Sequence, residues 1–203
     1  APSGQISLID VARTWYRRPQ DLPVDVDRQG LEVTAGYKPR RDDGTFSYAA
    51  HAAVVAIDPN FGMVEIIKYV VVEDGGVLIN PMIVDGQIVG GAAQGIGTAL
   101  YEEMPFDENG QPLFSTLADY VLPGATEVPD IHIEHMETPS PYSLFGQKGI
   151  GEGGAIGSVA AVTNAVNDAL RQVGAEVSET PMTPRRILAA IQEAKIKREG
   201  VGT

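Results

Sequence analysis

The 203-residue chain contains no cysteine. Disulfides, cysteine-ligated zinc, iron–sulfur clusters and thiol catalysis are therefore excluded within it. Histidine is scarce too, and occurs only at positions 51, 132 and 135. His132 and His135 lie three apart in a segment that alternates like a strand, so they should point to opposite faces. We expect ordinary surface or half-buried histidines and no metal ligand in this chain, with a site built from all three as the alternative.

Positive charge is also sparse. The 15 lysines and arginines face 27 acidic residues, which gives a net charge of −12. Such a chain repels phosphate backbones and has no basic cluster to offset this, so nucleic acid is excluded as a partner. No apolar run approaches the roughly 20 residues that span a bilayer. Charged residues interrupt any signal-peptide pattern in residues 1–20. We expect a cytoplasmic protein without a membrane span.

The local patterns that are present predict an α+β fold with mixed β-sheets flanked by helices. Two β-rich runs around the turn at 59–62 predict a hairpin, and 131–137 alternates as a further strand. Helices are predicted over 5–18, where Ser7 is the cap, and over 81–104, 156–173 and 183–198. We divide the chain into an N-terminal helix with a polar connection, 1–47, and a domain over 48–203.

The predicted helix 81–104 carries an unusual number of glycines. Its apolar positions recur at helical spacing, at Ile83, Ile88, Ala92, Ile96 and Leu100. Each glycine costs a helix about 1 kcal/mol relative to alanine. Another backbone or a ligand must therefore approach this helix closely. A glycine-mediated contact between two helices stays open as an explanation.

Three groups of charged residues have simple interpretations. We expect Glu102 and Glu103 to form a solvated helix end, and helix 183–198 to be a charged surface helix. Lys148 either shifts the pKa of Glu152, four residues on, or covers apolar surface.

The segment 146–157 is a glycine-rich loop that runs into an Ala/Val-rich helix. It contains the spacing Gly-x-Gly-x-x-Gly from Gly149 to Gly154. A dinucleotide site needs a strand before this pattern, but prolines at 139 and 141 disrupt that segment. The other alternative is a helix-entry loop whose glycines serve backbone shape alone. A single carboxylate, Glu152, stands among the glycines, and this favours its presentation to a ligand.

These residues resemble three segments of the molybdenum hydroxylases, the family of xanthine dehydrogenases, aldehyde oxidoreductases, copper–molybdenum carbon monoxide dehydrogenases and bacterial N-heterocycle dehydrogenases. The loop 147–154 with the following helix resembles the active-site loop of the family. Residues 74–103 resemble its glycine-rich cofactor-contact helix, and 119–123 resemble a turn of the form Asp-Tyr-x-x-Pro. All three occur in the order of the family. The chain therefore resembles the C-terminal part of the molybdenum-binding large subunit.

The resemblance implies roles for individual residues. Glu152 would be the catalytic general base, which takes a proton from a hydroxyl ligand of molybdenum before the oxygen attacks an electron-poor carbon. The residues expected to bind the cofactor are Gln94, Gly95, Gly149, Ile150 and Gly151. The cofactor would be a molybdenum-pyranopterin in its cytosine dinucleotide form.

The resemblance also implies partners. The large subunits of the family are several times longer than this chain, so the remaining large-subunit polypeptide is expected to complete the site. Electrons would leave through [2Fe-2S] clusters in an iron–sulfur subunit to FAD in a flavin subunit. We expect the chain to be inactive alone.

The implied reaction inserts water-derived oxygen into a C–H bond of an aldehyde or N-heterocycle. Two alternatives stay open within the family, namely a fragment of an aerobic CO dehydrogenase large subunit and a non-catalytic structural subunit. A stand-alone nucleotide-binding protein is the alternative outside it.

Overall fold

The computed structural model describes residues 4–26, 30–38 and 45–200. The chain divides into two compact units, Ala1–Arg40 and Arg41–Thr203.

The first unit contains helix α1, Leu8–Arg17, and a short 3-10 helix, Pro19–Asp21. The Ser7 side chain accepts a hydrogen bond from the backbone N–H of Asp10 at 3.1 Å, which confirms the predicted cap. The polar connection predicted over 19–47 falls partly on residues 27–29 and 39–44, which lie outside the described residues.

The second unit is built on a three-stranded sheet. Strand β1, Tyr48–Ile57, pairs antiparallel with β2, Val64–Asp74, as the predicted hairpin. Strand β3, Ile131–Met136, joins the other edge of β2 in parallel. The turn after β1 is closed by Asp58, whose side chain accepts from the N–H of Asn60 at 2.8 Å. The sheet is mixed and helices pack against it, so the predicted fold class is confirmed.

Among residues 45–200, four helices accompany the sheet, namely α2, Pro81–Leu100, α3, Gly153–Ile156, α4, Ser158–Arg171, and α5, Pro184–Gly200. The single helix predicted over 156–173 is therefore two helices, which meet at Gly157 and begin three residues earlier than expected. Gly157 makes the junction possible because a β-carbon there would collide with the imidazole of His51.

Helix α2 begins at Pro81, as predicted, but its buried face and its end differ from the prediction. It is capped by Asn80, whose side chain accepts from the N–H of Ile83 at 3.3 Å. Ile83 is 58% exposed, and Val84 takes its place on the buried face. The helix ends at Leu100 instead of 104, because the N–H groups of the next two residues both turn back to the carbonyl of Gly97.

The core lies between the sheet and the helices α2, α4 and α5. Its largest fully buried side chains include Tyr69, Ile88, Ile96, Leu170 and Ile187. The expectation that 183–198 is a surface helix was wrong for one of its faces, because Ile187, Ile191 and Ala194 recur at helical spacing and are buried. Within 4–26, 30–38 and 45–200, no helix is both long and apolar enough to cross a membrane.

Candidate functional site

The glycine-rich loop is held against the end of β2. The backbone N–H of Lys148 donates to the carbonyl of Gly75 at 2.8 Å, and Gly76 pairs with Gln147 as an isolated bridge. The carbonyl of Gly146 accepts from the N–H of Val77 at 3.1 Å. These bonds fix the entry to the loop, so that Glu152 follows as the residue before α3.

Beyond Glu152, the chain passes very close to helix α2. A β-carbon on Gly91 would lie 2.7 Å from the backbone nitrogen of Ala155, and one on Gly95 would collide with the side chain of Ser158. From the other side, a β-carbon on Gly154 would collide with the carbonyl of Ile88. Part of the glycine content of α2 therefore serves a close contact between helices, which was one of the two explanations left open.

Two other glycines of α2 have a different environment. A β-carbon on Gly86 or Gly90 would meet no atom within 4 Å. Both lie on a groove of about 440 Å³ between α2 and the start of α3, lined by Gly86, Gln87, Gly90, Gly91, Gln94, Gly151, Glu152, Ala155 and Ile156. These two glycines have no packing reason within the described residues, so nothing there offsets their cost to the helix.

The groove unites three of the predicted site residues, Glu152, Gln94 and Gly151. The others lie elsewhere. Gly95 is buried against Ser158, Ile150 is half-buried and packs on the core, and Gly149 is exposed with open space around it. A larger cleft of about 560 Å³ between β1 and α4 contains none of the predicted site residues.

Gln87 was missed as a groove residue. Its side-chain amide donates to the carbonyl of Gly151 at 3.4 Å and so joins α2 to the loop. The signal was available, because Gly86, Gly90 and Gln94 follow one another at a spacing of four and share a helix face with their neighbours Gln87 and Gly91.

Lys148 has a partner that the sequence did not suggest. Its ammonium group forms an ion pair of 3.0 Å with Asp74, and both side chains are buried. Asp74 also accepts from the hydroxyl of Tyr48 at 2.8 Å and from the N–H of Gly76 at 2.9 Å. Burial raises the pKa of Asp74, but its hydrogen bonds, among them those from Thr138, Gly76, Lys148 and Tyr48, outweigh burial and hold the pKa well below its usual range.

His51 is half-buried, as expected for an ordinary histidine, but it contacts the loop. One ring nitrogen lies 3.0 Å from the hydroxyl of Tyr69 and the other 3.2 Å from the carbonyl of Gly153. His51 belongs to β1, Tyr69 to β2 and Gly153 to α3. The imidazole therefore links two strands to the residue that follows Glu152.

The other two histidines point to opposite faces of β3, as predicted. His132 is exposed, whereas His135 lies between Glu73 at 2.5 Å and Asp85 at 2.8 Å. Burial lowers the pKa of His135, but the hydrogen bonds and charges of Glu73 and Asp85 outweigh it and raise the pKa above its usual value.

Glu102 and Glu103 are not a solvated helix end. Glu102 accepts a hydrogen bond from the hydroxyl of Tyr120, and Glu103 forms an ion pair of 2.9 Å with Arg186 of α5. Their partners are distant in sequence, so local spacing could not reveal them.

Comparison with known proteins assigns the chain to a family. The family model of the molybdopterin cofactor-binding domain matches residues 2–129. The chain belongs to this family. It is 41% identical over 190 residues to the nicotine 6-hydroxylase large subunit of Paenarthrobacter nicotinovorans, a match that covers 94% of the chain and 23% of that protein. The CO dehydrogenase large chain of Hydrogenophaga pseudoflava is 36% identical, with 92% of the chain and 22% of the relative covered.

The fold agrees with a solved member of the same group. Quinoline 2-oxidoreductase from Pseudomonas putida 86 superposes with a TM-score of 0.76 at 44% identity, over 91% of this chain and 23% of that one. The resemblance to molybdenum hydroxylase large subunits is thus confirmed. The molybdopterin cofactor-binding chain spans about a quarter of the length of the relatives it matches.

The groove has a surface that fits a flat, polar heterocyclic cofactor. Gly86 and Gly90 leave backbone open to close approach, and Gln94 adds a side-chain amide that both donates and accepts hydrogen bonds. A β-carbon on either glycine would occupy part of the groove.

Proposed function

We propose that this chain forms one wall of a molybdenum-pyranopterin site and that Glu152 is the general base of the reaction there. The observation that carries the proposal is the groove between α2 and α3, which Glu152 lines together with Gln94 and the open backbone of Gly86 and Gly90. A carboxylate in that position is presented to whatever group fills the groove.

We propose that Gln94, Gly95, Gly149, Ile150 and Gly151 form the part of the cofactor site that this chain contributes. Gln94 offers an amide to the heterocycle, and the exposed backbone of Gly149 and Gly151 offers N–H and carbonyl groups. Gly95 acts through packing, because its missing side chain lets α2 approach Ser158. Ile150 anchors the loop in the core. We propose the cytosine dinucleotide form of the cofactor, which is the form that the resemblance to the bacterial branch of the family implies.

When bound, the molybdenum centre supplies a two-electron acceptor and activates a water-derived oxygen. Glu152 would accept the proton of the water-derived oxygen and hold it on a carboxylate oxygen, while the hydrogen of the C–H bond and its electron pair would pass to the bound acceptor. The chain is thereby part of an oxidoreductase that hydroxylates a C–H carbon.

An N-heterocycle is the substrate class we favour over an aldehyde. The nicotine hydroxylase and quinoline oxidoreductase relatives are 41% and 44% identical to the chain. CO is the second candidate, since the CO dehydrogenase large chain is 36% identical. A non-catalytic structural subunit is disfavoured, because a decayed site would be free to lose Glu152.

The proposed partners are the remaining large-subunit polypeptide, an iron–sulfur subunit with [2Fe-2S] clusters and a flavin subunit with FAD. The chain spans only 23% of the nicotine 6-hydroxylase large subunit, and another relative is a subunit of the 6-hydroxypseudooxynicotine dehydrogenase complex. We therefore propose that the chain is inactive alone.

Replacement of Glu152 by glutamine in the assembled complex tests the proposal. Turnover of quinoline, nicotine, benzaldehyde and CO is measured beside the molybdenum content. We expect Glu152→Gln to keep its molybdenum and to lose about 10²- to 10⁴-fold in kcat, the contribution of a positioned base. Glu65→Gln, on the exposed side of β2, is the matched control. Unchanged turnover in Glu152→Gln would remove this residue as the base.

A further inference from the structure

Three groups from three separate elements form a chain of hydrogen bonds that ends beside Glu152. The Tyr69 hydroxyl lies 3.0 Å from Nδ1 of His51, and Nε2 of His51 lies 3.2 Å from the carbonyl oxygen of Gly153. The two rings meet edge to face, with centroids 5.9 Å apart. Gly153 follows Glu152 directly and is the first residue of α3.

The two hydrogen-bond partners of His51, the hydroxyl of Tyr69 and the carbonyl of Gly153, decide its tautomer. A carbonyl oxygen only accepts, so Nε2 must carry the proton that is donated to Gly153. Nδ1 of the neutral ring then has a lone pair and accepts from the hydroxyl of Tyr69. Tyr69 is fully buried, and burial raises the pKa of its hydroxyl, which keeps the donor proton in place. Burial also lowers the pKa of His51, against a smaller opposite effect of the bond to Gly153, so the neutral ring is favoured.

Glycine residues leave room for the imidazole of His51 beside the start of α3. A β-carbon on Gly157 would collide with the His51 ring, so the ring occupies the space at the junction of α3 and α4. Gly153 and Gly154 have no side chains to restrain the turn that carries Glu152, and glycine backbone is intrinsically free. The bond from His51 restrains this turn from outside, together with the bond from the N–H of Gly153 to the carbonyl of Ile150 at 3.1 Å.

We propose that His51 is a positioning residue for Glu152, which holds the start of α3 through the carbonyl of Gly153 while Tyr69 fixes its tautomer. The proposal rests on the proposed role of Glu152 as base. His51 acts only through the backbone and contacts neither cofactor nor substrate. A histidine that merely fills the core would stabilise the fold without affecting the geometry of the loop.

The test uses the assembled complex with His51→Leu, His51→Gln and Tyr69→Phe, and His132→Gln as control for an exposed histidine. Hydrogen exchange of the amides at 150–156 reports on the loop, and kcat and KM are measured with quinoline and nicotine. In His51→Leu we expect faster exchange of these amides, retained molybdenum, a nearly unchanged KM and a kcat lowered by up to about a hundredfold, the scale of a misplaced catalytic group.

The conservative variants sharpen the result. Glutamine at position 51 has an amide donor, so His51→Gln should recover part of the exchange protection and of kcat. Tyr69→Phe removes the hydroxyl that fixes the tautomer of His51, so its losses of kcat and of exchange protection should lie between those of the wild type and of His51→Leu. His132→Gln should match the wild type in both measurements. Exchange of the 150–156 amides at the wild-type rate in His51→Leu would overturn the proposal, even if that variant were less stable.

Two further results have their own interpretation, namely a His51→Leu variant that does not fold and a Glu152→Gln variant that keeps full turnover. If His51→Leu does not fold, nitrogen-15 chemical shifts of His51 in the wild-type complex decide, because a proton on Nδ1 instead of Nε2 would overturn the proposal. If Glu152→Gln keeps full turnover, the proposed function fails, and the exchange measurement still decides whether His51 orders the loop.

Discussion

Asp74 is a fully buried carboxylate that ties the glycine-rich loop to the end of β2. It receives hydrogen bonds from Lys148, Tyr48 and Gly76. A buried charge with this many donors is compensated, but the loss of Lys148 leaves it with neutral donors only and without a counter-ion. At the residue scale, this ion pair therefore reinforces the backbone bonds that hold the entry to the loop.

Replacement of Lys148 by methionine should destabilise the chain by about 3–5 kcal/mol, because the carboxylate of Asp74 stays buried without its counter-ion. Urea denaturation of the 203-residue chain measures the change. Lys197→Met is the control, since the pair of Lys197 with Glu193 is exposed and screened by water, so its loss should have a much smaller effect. Equal effects of the two variants would contradict this account of the loop.

His135 should make the stability of the chain depend on pH. Its pKa is raised in the folded chain, so the protonated ring is favoured there. The stabilisation is complete below the unfolded value of about 6.5 and is lost as the pH rises through the folded pKa. The denaturation midpoint of the wild type relative to His135→Gln should therefore fall across the range from that value upward. A difference that stays constant or grows with pH would show that the carboxylates of Glu73 and Asp85 do not hold the proton.

The residue contacts that matter most here could not be predicted from the sequence. His51 and Gly153 are 102 positions apart, and Asp74 and Lys148 are 74 apart. The topology of β1, β2 and the loop brings these residues together, so the local spacing of residues in the sequence could not predict the contacts. Glu152, by contrast, could be proposed as a candidate from the sequence, because its setting among glycines is local.

At the scale of elements, helix α2 has two kinds of glycine. Gly91 and Gly95 lie against the backbone or side chains of α3 and α4, whereas Gly86 and Gly90 border open space. The sequence showed only that something approaches the helix. Which glycines contact another helix and which border the groove could be decided only from the structure, because it depends on the direction in which each face of α2 points.

This division predicts opposite effects for two identical substitutions. Gly90→Ala should stabilise the chain by up to about 1 kcal/mol, since alanine is the better helix former and meets no atom. In the complex it should lower the molybdenum content, because its methyl group enters the groove. Gly95→Ala should instead destabilise the chain by about 1–3 kcal/mol through its collision with Ser158. Thermal denaturation and metal analysis measure both, and a Gly90→Ala complex with full molybdenum content would argue against the cofactor in this groove.

The hairpin, β3 and the helices could be predicted as elements because each has its own periodicity and turn residues. The break between α3 and α4 could not, because it depends on the ring of His51, which comes from a distant strand. The expectation for α5 was wrong for a different reason. Ile187 and Ile191 recur at helical spacing and form a buried stripe, but the many charged residues of this helix favoured the prediction of a surface helix.

On the scale of the whole molecule, apolar side chains remain exposed near the groove. Ile156, which lines it, is 75% exposed, and Ile83 and Met82 at the start of α2 are 58% and 76% exposed. Exposed apolar patches mark interaction surfaces. We propose that the remaining large-subunit polypeptide covers this one.

A charged residue in this patch should impair assembly without affecting the fold of the chain. We expect Ile156→Glu to reduce co-purification of the remaining large-subunit polypeptide, whereas the denaturation midpoint of the chain itself stays near the wild-type value. Ile196→Glu, on α5 outside the groove, is the control, since Ile196 is also exposed at 68%. Equal recovery of the complex with both variants would show that the patch is not the interface.

The central claim is that the carboxylate of Glu152 stands beside the molybdenum centre. An experimental structure of the assembled complex with its cofactor bound tests this most directly. We predict a carboxylate oxygen of Glu152 within hydrogen-bonding distance of a molybdenum ligand, with the pterin along Gln94, Gly86 and Gly90. A cofactor bound elsewhere, with Glu152 surrounded by bulk water, would contradict the account.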